Sequence, residues 1–421
     1  MDKFLRIVII YASLLCFFSC ENVNKKVDNK LSKKEYKYAS MKDGVLHLDL
    51  NEARKHPRDI MLSEICDSLI YIPLETNKEC LINRSFPKIV KDGDDIFIDY
   101  SWGLYHFNIK GEFVCQIGKI GRGPDEHVCT NFCISKKDKR IYAVANYKRR
   151  ILQFDYSGKL LNDNVRINDI PCDFEYDELN DYIISSHDYE LQTRGLLDSL
   201  QYDVFKIRNL KGEISHVHKS KTFPKEDIKK GSMSVCIKGA NIHRYKSSFY
   251  IQELSNDTIF RINNSQLEPK YILNNKIYKQ KMNFKNYMNV VKNRKDNSYA
   301  RNLFYNRIIG ESERYIILGN SEHFIYDKRE RKLEMFRNGI KAHGGFNNDL
   351  DQIIKGSPQF VLNEKYLLFT VSAVDVIERN TKYTECTGDK HVNKYTKYVE
   401  NLSCKISEED NPVLVLARLK N

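Results

Sequence analysis

Residues 95–114 read DIFIDYSWGLYHFNIKGEFV, and residues 140–160 read RIYAVANYKRRILQFDYSGKL. Each copy holds two short apolar strands followed by a polar turn that contains a glycine. The copies start about 45 residues apart, and a period of about 40–50 residues with several short strands per copy is typical of a β-propeller blade. Apolar and polar residues alternate along most of these strands, which predicts antiparallel blades of four strands each.

Four further copies, less regular than the first two, follow along the chain. They are centred on residues 181–214, 248–262, 314–327 and 365–417. The composition agrees with a strand-rich core, because the chain has 26 Tyr and 21 Phe but only 9 Pro and 19 Gly, and aromatic side chains favour strands. The sequence therefore predicts an all-β fold, a six-bladed β-propeller of four-stranded antiparallel blades.

Two stretches interrupt the blade pattern. Residues 276–309 have few strand signals and widely spaced apolar positions, which predicts a helical insertion, and residues 378–411 are polar and predict a long loop or a short helix. Insertions in repeat folds gather on the loops of one face, which is commonly the binding face. Closing the ring requires an early strand in the last blade, and residues 45–50 or 69–74 are the candidates.

The amino terminus predicts an export signal. A short basic segment precedes an apolar run of 12 residues, too short for a membrane span and typical of a signal peptide. Residues 1–19 are therefore expected to be a signal peptide, 20–40 a flexible tether and 41–421 the propeller domain. Cys20 follows a small residue, as in a bacterial lipobox, and is the predicted lipidation site. The alternative is an ordinary secretory signal with an incidental cysteine.

Charge and cysteines add two expectations. The formal net charge of +12 comes from scattered Lys and Arg, which favours a solvated basic surface over a nucleic-acid partner, although anionic lipid or polysaccharide would be attracted. Cys129 and Cys133, four residues apart on one strand, are expected to share a face as small buried residues. Cys386 and Cys404 form the one pair considered for a disulfide.

Candidate ligand-binding residues fall into two groups. Exposed aromatic residues near the end of the first blade can stack on sugar rings, or pack between blades instead. A dense polar cluster in a predicted loop can line the top of the channel, or serve ordinary turn chemistry. The candidates are Trp102, Tyr105, His343, Asn347, Asn348 and Asp349.

Three other motifs have simpler structural interpretations. The glycines at 118, 121 and 123 lack the lysine and helix of a phosphate loop, and favour a connector between blades. His216 and His218 share a strand face but have no third metal ligand by spacing, and the acidic residues 92–95 fit a turn better than a calcium loop. Spacing identifies no nucleophile motif, metal site or cofactor site.

Carboxylates near strand ends are too many for the sequence to choose among them. Asp99, Asp155, Glu253 and Asp327 all lie near such ends. Asp155 and Asp327 occupy a repeated position, which favours a structural role in turns over catalysis.

Taken together, these motifs resemble the six-bladed β-propeller lipoproteins of Bacteroidetes, which are related to NHL-repeat propellers. The resemblance covers roughly residue 65 to the end. The chain departs from the family pattern at His127, in place of an aromatic residue, and at Gln352, in place of the first of two glycines. The matching segments are 69–76 (LIYIPLET), 117–126, 154–159 (FDYSGK), 256–260 (NDTIF) and 408–414 (EEDNPVL).

The resemblance implies a fold but no reaction. The first hypothesis is a lipid-anchored envelope protein that binds a glycan, peptide or protein partner through one face of the ring. It would be exported and attached through Cys20 to the outer membrane, on its periplasmic or surface side, with no cofactor. The alternative is an enzyme, either a propeller-type hydrolase or lyase or a calcium-dependent lactonase-like protein with its site at the central channel. A purely structural role in an envelope complex is the third option.

Overall fold

The structure is a computed structural model that describes residues 37–82, 88–123, 126–127, 129–145, 148–168, 170–191, 202–220, 235–238, 240–253, 256–263, 265–275, 306–319, 322–337, 345–351, 360–378 and 394–421. It confirms the predicted six-bladed β-propeller. Before the first blade come β1 (Ala39–Lys42), β2 (Val45–Asp49), helix α1 (Leu50–Lys55), helix α2 (Leu62–Ile65) and β3 (Cys66–Pro73).

Blades 1 to 3 follow in chain order, and in each the first strand lies innermost. Blade 1 contains β4 (Lys88–Asp92), β5 (Asp95–Tyr100), β6 (Gly103–Asn108) and β7 (Phe113–Gln116). A two-stranded connector, β8 (Lys119–Ile120) and β9 (Glu126–His127), leads to the next blade. Blade 2 contains β10 (Cys129–Ser135), β11 (Arg140–Ala145), β12 (Arg150–Asp155) and β13 (Leu160–Arg166). Blade 3 contains β14 (Pro171–Asp177), β15 (Tyr182–Leu191), β16 (Tyr202–Asn209) and β17 (Ile214–Ser220), and β18 (Val235–Lys238) pairs with β15.

Blades 4 to 6 complete the ring. Blade 4 contains β19 (Ala240–Tyr245), β20 (Ser248–Glu253), β21 (Thr258–Asn263) and β22 (Gln266–Asn274), and β2 and β1 extend it to six strands. Blade 5 contains β23 (Arg307–Glu311), β24 (Tyr315–Gly319), β25 (Phe324–Asp327) and β26 (Lys332–Met335). Blade 6 contains β27 (Phe360–Leu362), β28 (Tyr366–Val371) and β29 (Val413–Leu419), with β3 as its outer strand.

An early strand closes the ring, as the sequence predicts. Of the two candidates, residues 69–74 are the correct one, because β3 pairs antiparallel with β29 over Pro73 to Cys66. The other candidate forms β2, which pairs in parallel with the outer strand of blade 4. Its Leu46 and Leu48 are buried there, so the alternation that predicts a strand is satisfied in a different blade.

The core is a series of layers between neighbouring blades. Within the described residues, five clusters of buried apolar side chains lie between successive blades, and the one between blades 3, 4 and 5 is the largest. This arrangement follows from the alternation in each strand, because the two faces of a blade pack against its two neighbours.

Connections of different lengths distinguish the two sides of the ring. The turns that join the first and second strands of each blade are short, such as 93–94 and 246–247, and they define the short-turn side. The second-to-third connections and the links between blades begin and end on the opposite, long-connection side. The connections from Asn274 to Arg307 and from Val371 to Val413 are of this kind. The insertions thus begin and end on one side, as predicted from the repeat.

The structure describes only parts of the two predicted insertions, and the helical range predicted for 276–309 extends too far at its end. Residues 276–305 lie outside the described part, and Arg307–Glu311 is a strand of blade 5. In the second insertion, α3 (Lys394–Ser403) is a helix that buries Val399 and Leu402. The strand β1 starts at Ala39, inside the range expected to be a tether.

The expectation that Cys129 and Cys133 share a strand face is wrong, although both are buried. The pairing of β10 with β11 shifts register between Cys129 and Phe132. This bulge adds a residue to the strand and reverses the alternation beyond it. Cys129 therefore packs in the layer between blades 1 and 2, whereas Cys133 packs in the layer between blades 2 and 3. Cys386 lies outside the described residues, so its pairing with Cys404 stays a prediction.

Candidate functional site

A cavity of about 480 Å³ lies on the axis of the ring. Its walls are the inner strands of all six blades, from β4 to β27, so each blade contributes side chains to a single space. Concave sites of this size with a few convergent polar groups are where proteins bind small ligands. The ionisable lining residues are Lys88, Lys91, Asp99, Lys136, Cys172, Asp173, Glu175, His243, Arg244, Lys246, Arg307, Glu311 and Glu364.

Polar contacts across the axis narrow the cavity on the short-turn side. The Lys136 ammonium of blade 2 donates to Asn363 Oδ1 of blade 6 at 3.0 Å. The backbone N–H of Lys246 in blade 4 donates to Glu364 of blade 6. Burial, followed by the neighbouring Arg244, lowers the pKa of Lys136. These contacts join blades that are not neighbours, so they form a floor on the short-turn side. The opposite end of the cavity, as far as the described residues define it, is called the open end.

Lys88 occupies the wall near the open end as a buried cation. Its ammonium donates to Glu175 Oε1 at 2.8 Å and to the Phe174 carbonyl at 3.1 Å, and it lies 3.7 Å from Asp173 Oδ1 and 3.4 Å from Asn131 Oδ1. Burial alone would lower its pKa, but Glu175 and Asp173 outweigh burial and raise it. Lys88 is thus a fixed positive charge rather than a neutral nucleophile.

The same geometry bears on the calcium site of the lactonase-like alternative. Oxygen atoms of the kind that calcium prefers do converge in the cavity, but they already bind the Lys88 ammonium. Among the side chains that the structure describes, no group of three or more His, Cys, Asp and Glu is placed to hold a metal ion. The donor set at Lys88 therefore does not fit calcium.

Asp99 differs from the other acidic residues of the cavity. It ends the second strand of blade 1, pairs with Lys88 across the sheet, and is only 4% exposed. No hydrogen bond or ion pair engages its carboxylate within the described structure. Burial raises its pKa to about 6, partly offset by Lys88. A buried carboxylate without a partner is unusual, and this one faces the cavity.

Trp102 lies close to Asp99, whereas Tyr105 belongs to the core. The Trp102 side chain is 62% exposed, and its backbone has the left-handed φ of +69° that is rare for a bulky residue. Its carbonyl accepts a hydrogen bond from Cys129 N at 2.9 Å, at the start of the inner strand of blade 2. Tyr105 is 7% exposed and packs between blades 6 and 1, and burial raises its pKa.

The predicted polar cluster is not brought to the aromatic pair. Asn347 and Asp349 contact helix α2, which precedes β3 near the start of the chain. There, Leu62 N donates to the Asn347 carbonyl and Ser63 N donates to Asp349 Oδ1. The Asn348 side chain accepts from two backbone N–H groups of its own turn. These contacts are those of a turn held against the amino-terminal segment. His343 lies outside the described residues.

Comparison with known proteins identifies the family. Residues 45–418, most of the chain, match DUF4934, a domain of unknown function. The chain belongs to the DUF4934 family. No curated protein matches the DUF4934 chain.

Solved structures resemble the DUF4934 chain in fold. A Bacteroides fragilis protein described as exported aligns with a TM-score of 0.60 and 16% identity, over 89% of this chain and 99% of that one. A member of the DUF4221 family from Bacteroides vulgatus aligns with a TM-score of 0.41 and 10% identity, over 84% and 97% of the two chains. No helix of the described residues is long and apolar enough to cross a membrane.

Several sequence interpretations hold in the DUF4934 domain. The Asp155 and Asp327 carboxylates each accept two backbone N–H groups of the turn that follows, which confirms their structural role. His216 and His218 both pack against Phe205, with ring centroids 5.6 and 5.1 Å from the Phe205 ring. His218 also lies 2.6 Å from Glu253, so this carboxylate has a partner as well.

The glycine segment of the DUF4934 domain connects blades 1 and 2, as expected. Glu126 Oε2 accepts a hydrogen bond from Gly123 N at 2.8 Å. A side chain at Gly121 would overlap that same carboxylate. The glycines therefore make room for a side chain of the protein itself.

Proposed function

We propose that this DUF4934 protein is a lipid-anchored envelope protein that takes a polar ligand, such as part of a glycan, peptide or envelope protein, into the axial cavity. The observation that supports the proposal is an axial cavity with polar walls and a floor on the short-turn side. No reaction is assigned. A closer relation to NHL-repeat propellers is part of the same proposal.

The anchor part of the proposal rests on Cys20 and its preceding apolar segment. The likeness to a Bacteroides protein described as exported supports export. Expression in a Bacteroides host with an alkyne-labelled fatty acid tests it. The wild-type protein should incorporate label and partition with membranes, and Cys20→Ser should do neither. Equal labelling of both proteins would contradict a lipid anchor at Cys20.

The binding part is tested by blocking the cavity. Ile309 lines the cavity and is half-buried, so Ile309→Trp should fill part of the space and weaken ligand binding at least tenfold. Ile214→Trp is the matched control, because Ile214 is 48% exposed on the outer strand of blade 3. Binding is measured on arrays of defined saccharides and peptides and then by calorimetry, with thermal unfolding as the check on folding. Equal affinity of the two variants would show that the ligand binds elsewhere.

A second candidate function, a propeller-type hydrolase or lyase, has one observation in its favour. Asp99, with its pKa raised to about 6 by burial, has the protonation behaviour of a general acid near neutral pH. Incubating the purified protein with each saccharide that it binds, followed by mass spectrometry of the products, distinguishes the two functions. Cleavage that is lost in Asp99→Asn would establish the enzyme.

A further inference from the structure

We infer that Asp99 and Trp102 form a saccharide subsite at the open end of the cavity, in which Asp99 accepts hydrogen bonds from sugar hydroxyls and Trp102 stacks on the ring. The inference rests on the proposed function and gives it a ligand class.

The first step is the position of the two residues. Asp99 is the penultimate residue of β5, and Trp102 is in the two-residue turn between β5 and β6, so two residues separate them. Both residues lie near Cys129, at the start of blade 2. Cys129 N donates a hydrogen bond to the Trp102 carbonyl. Burial raises the pKa of the Cys129 thiol, and the negative charge of Asp99 raises it further.

The second step is the unmet hydrogen-bonding capacity of Asp99. An ionised carboxylate offers about four acceptor positions, and the described structure fills none of them in Asp99. By contrast, Asp173 and Glu175 both lie near the Lys88 ammonium, and Glu311 accepts from Tyr271 and Lys328. Asp99 therefore has the freedom to accept hydrogen bonds from a ligand.

The third step is the chemistry of the ligand. Adjacent hydroxyls of a sugar donate to the two oxygens of one carboxylate, and the C–H face of the ring packs on an aromatic side chain. Trp102 supplies the only indole of the chain, and this residue is 62% exposed. A carboxylate that faces the cavity and an exposed indole three positions further along the chain thus suit a neutral saccharide that extends out of the cavity.

The test compares four variants on a printed array of neutral, amino and acidic oligosaccharides, followed by calorimetry with the best neutral probe. Asp99→Asn should lower the affinity at least ~10-fold, because a charged hydrogen-bond acceptor is lost. Trp102→Ala should lower it by a similar factor, because the stacking surface for the sugar ring is lost. Asp94→Asn, in the exposed turn at the other end of β5, and Leu179→Ala, an exposed apolar residue on the short-turn side, should stay within about twofold of wild type.

A pH series separates binding from a structural effect. Wild-type affinity should fall as the pH is lowered from 7.5 to 5, because Asp99 becomes protonated near pH 6 and loses acceptor strength. Asp99→Asn should show no such dependence. Unchanged affinity of Asp99→Asn, or a preference for peptide probes, would overturn the inference while leaving the binding function intact. Binding to none of the saccharide and peptide probes would overturn both.

Discussion

At the scale of single residues, the ionised Asp99 carboxylate lowers the stability of the fold. Its pKa is about 6 in the folded chain, against 3.8 for an ordinary Asp. The folded state therefore holds the proton more tightly than the unfolded state between these values. By linkage, the free energy of unfolding decreases as the pH rises through this window. Such a cost is common at binding sites, where function and stability conflict.

This cost predicts the behaviour of Asp99→Asn. The variant should have about the same stability as wild type below pH 4, where both side chains are neutral. Above pH 6 it should be more stable by on the order of 3 kcal/mol, since the pKa of Asp99 is raised by about two units and one unit corresponds to about 1.4 kcal/mol. Urea unfolding at pH 4, 5, 6 and 7.5 measures the difference. A difference between variant and wild type that does not change with pH would contradict this account.

Asn411, in contrast to Asp99, is a buried polar residue that stabilises the fold. It is 2% exposed, its Oδ1 accepts from Ile82 N at 2.6 Å, and its Nδ2 donates to the Glu75 and Cys80 carbonyls, each at 2.6 Å. The side chain thus connects the end of the second insertion to the segment between blades 6 and 1.

Replacing Asn411 by Ala should lower the free energy of unfolding by about 3 kcal/mol, because buried backbone groups would lose their partners. Asn180→Ala is the control, since Asn180 lies in an exposed turn, and its effect should stay below ~0.5 kcal/mol. Denaturant titration of both variants provides the comparison. Similar small losses in both would show that water replaces the Asn411 contacts.

Residue roles were only partly predictable from the sequence. Asp155 and Asp327 could be assigned to turns because turn chemistry is local and repeats with the blades. Asp99 was one of several carboxylates near strand ends, and its special state depends on what surrounds it in three dimensions. Burial beside Lys88 and the lack of a partner are tertiary properties, which no spacing in the sequence records.

At the scale of the elements, glycines in the turns between third and fourth strands set the contact between blades. Gly111, Gly158 and Gly212 have φ values of +88°, +83° and +88°. A Cβ at these positions would meet the carbonyl oxygen of Pro73, Gln116 or Arg166, at 2.0, 2.8 and 2.9 Å. Each of these is the last residue of the outer strand in the preceding blade. The repeated glycine thus lets one blade approach the next.

Gly158→Ala should therefore be more destabilising than a left-handed glycine alone would explain. Gly93 is the matched control, with φ of +57° and open space around its Cβ position. Both substitutions have a backbone cost of about 1–2 kcal/mol, and the overlap with Gln116 should add about 1–3 kcal/mol to Gly158→Ala alone. Thermal and urea unfolding of the two variants measure the difference. Equal losses of stability in the two variants would mean that blades 1 and 2 move apart at Gln116 without an energetic cost.

Strand faces were predictable only where the pairing is regular. The repeated copies predicted the blades correctly because strand alternation and turn glycines are local. The bulge in β10 could not be predicted, since it is a property of how β10 and β11 pair. A single extra residue there moved Cys133 to the opposite face from Cys129.

At the scale of the whole molecule, the ring is closed by a strand pairing rather than by ion pairs. β3 pairs with β29, and Leu416 of β29 is 1% exposed in the layer between blades 6 and 1. Arg418 and Asp67 join the same two strands at 2.7 Å, but the Arg418 side chain is 53% exposed. Exposed ion pairs contribute little to the free energy of unfolding, whereas buried apolar side chains contribute much.

Leu416→Ala should lower the free energy of unfolding by about 2–5 kcal/mol, and Arg418→Ala should lower it by far less. Urea unfolding with circular dichroism checks both values. A loss of several kcal/mol in Arg418→Ala would show that the exposed pair holds the ring together.

The architecture of the ring was largely predictable, because six copies of one pattern define it. The pairing partners of β2 and β3 could not be predicted from the sequence. Both strands have similar alternation and differ only in which distant sheet edge they fit. The residues that line the cavity could not be predicted either, because each blade contributes several of them from positions far apart in the chain.

The pairing of β3 with β29 has a consequence for the order of events during biosynthesis. β3 is made early, and β29 is the last strand to be made. Blade 6 cannot be completed until both are available, and contacts of such high sequence separation form slowly. The ring therefore stays open until β29 has been made. A chain in this state has no finished fold, and this is the state that the export proposed above would require for threading across a membrane.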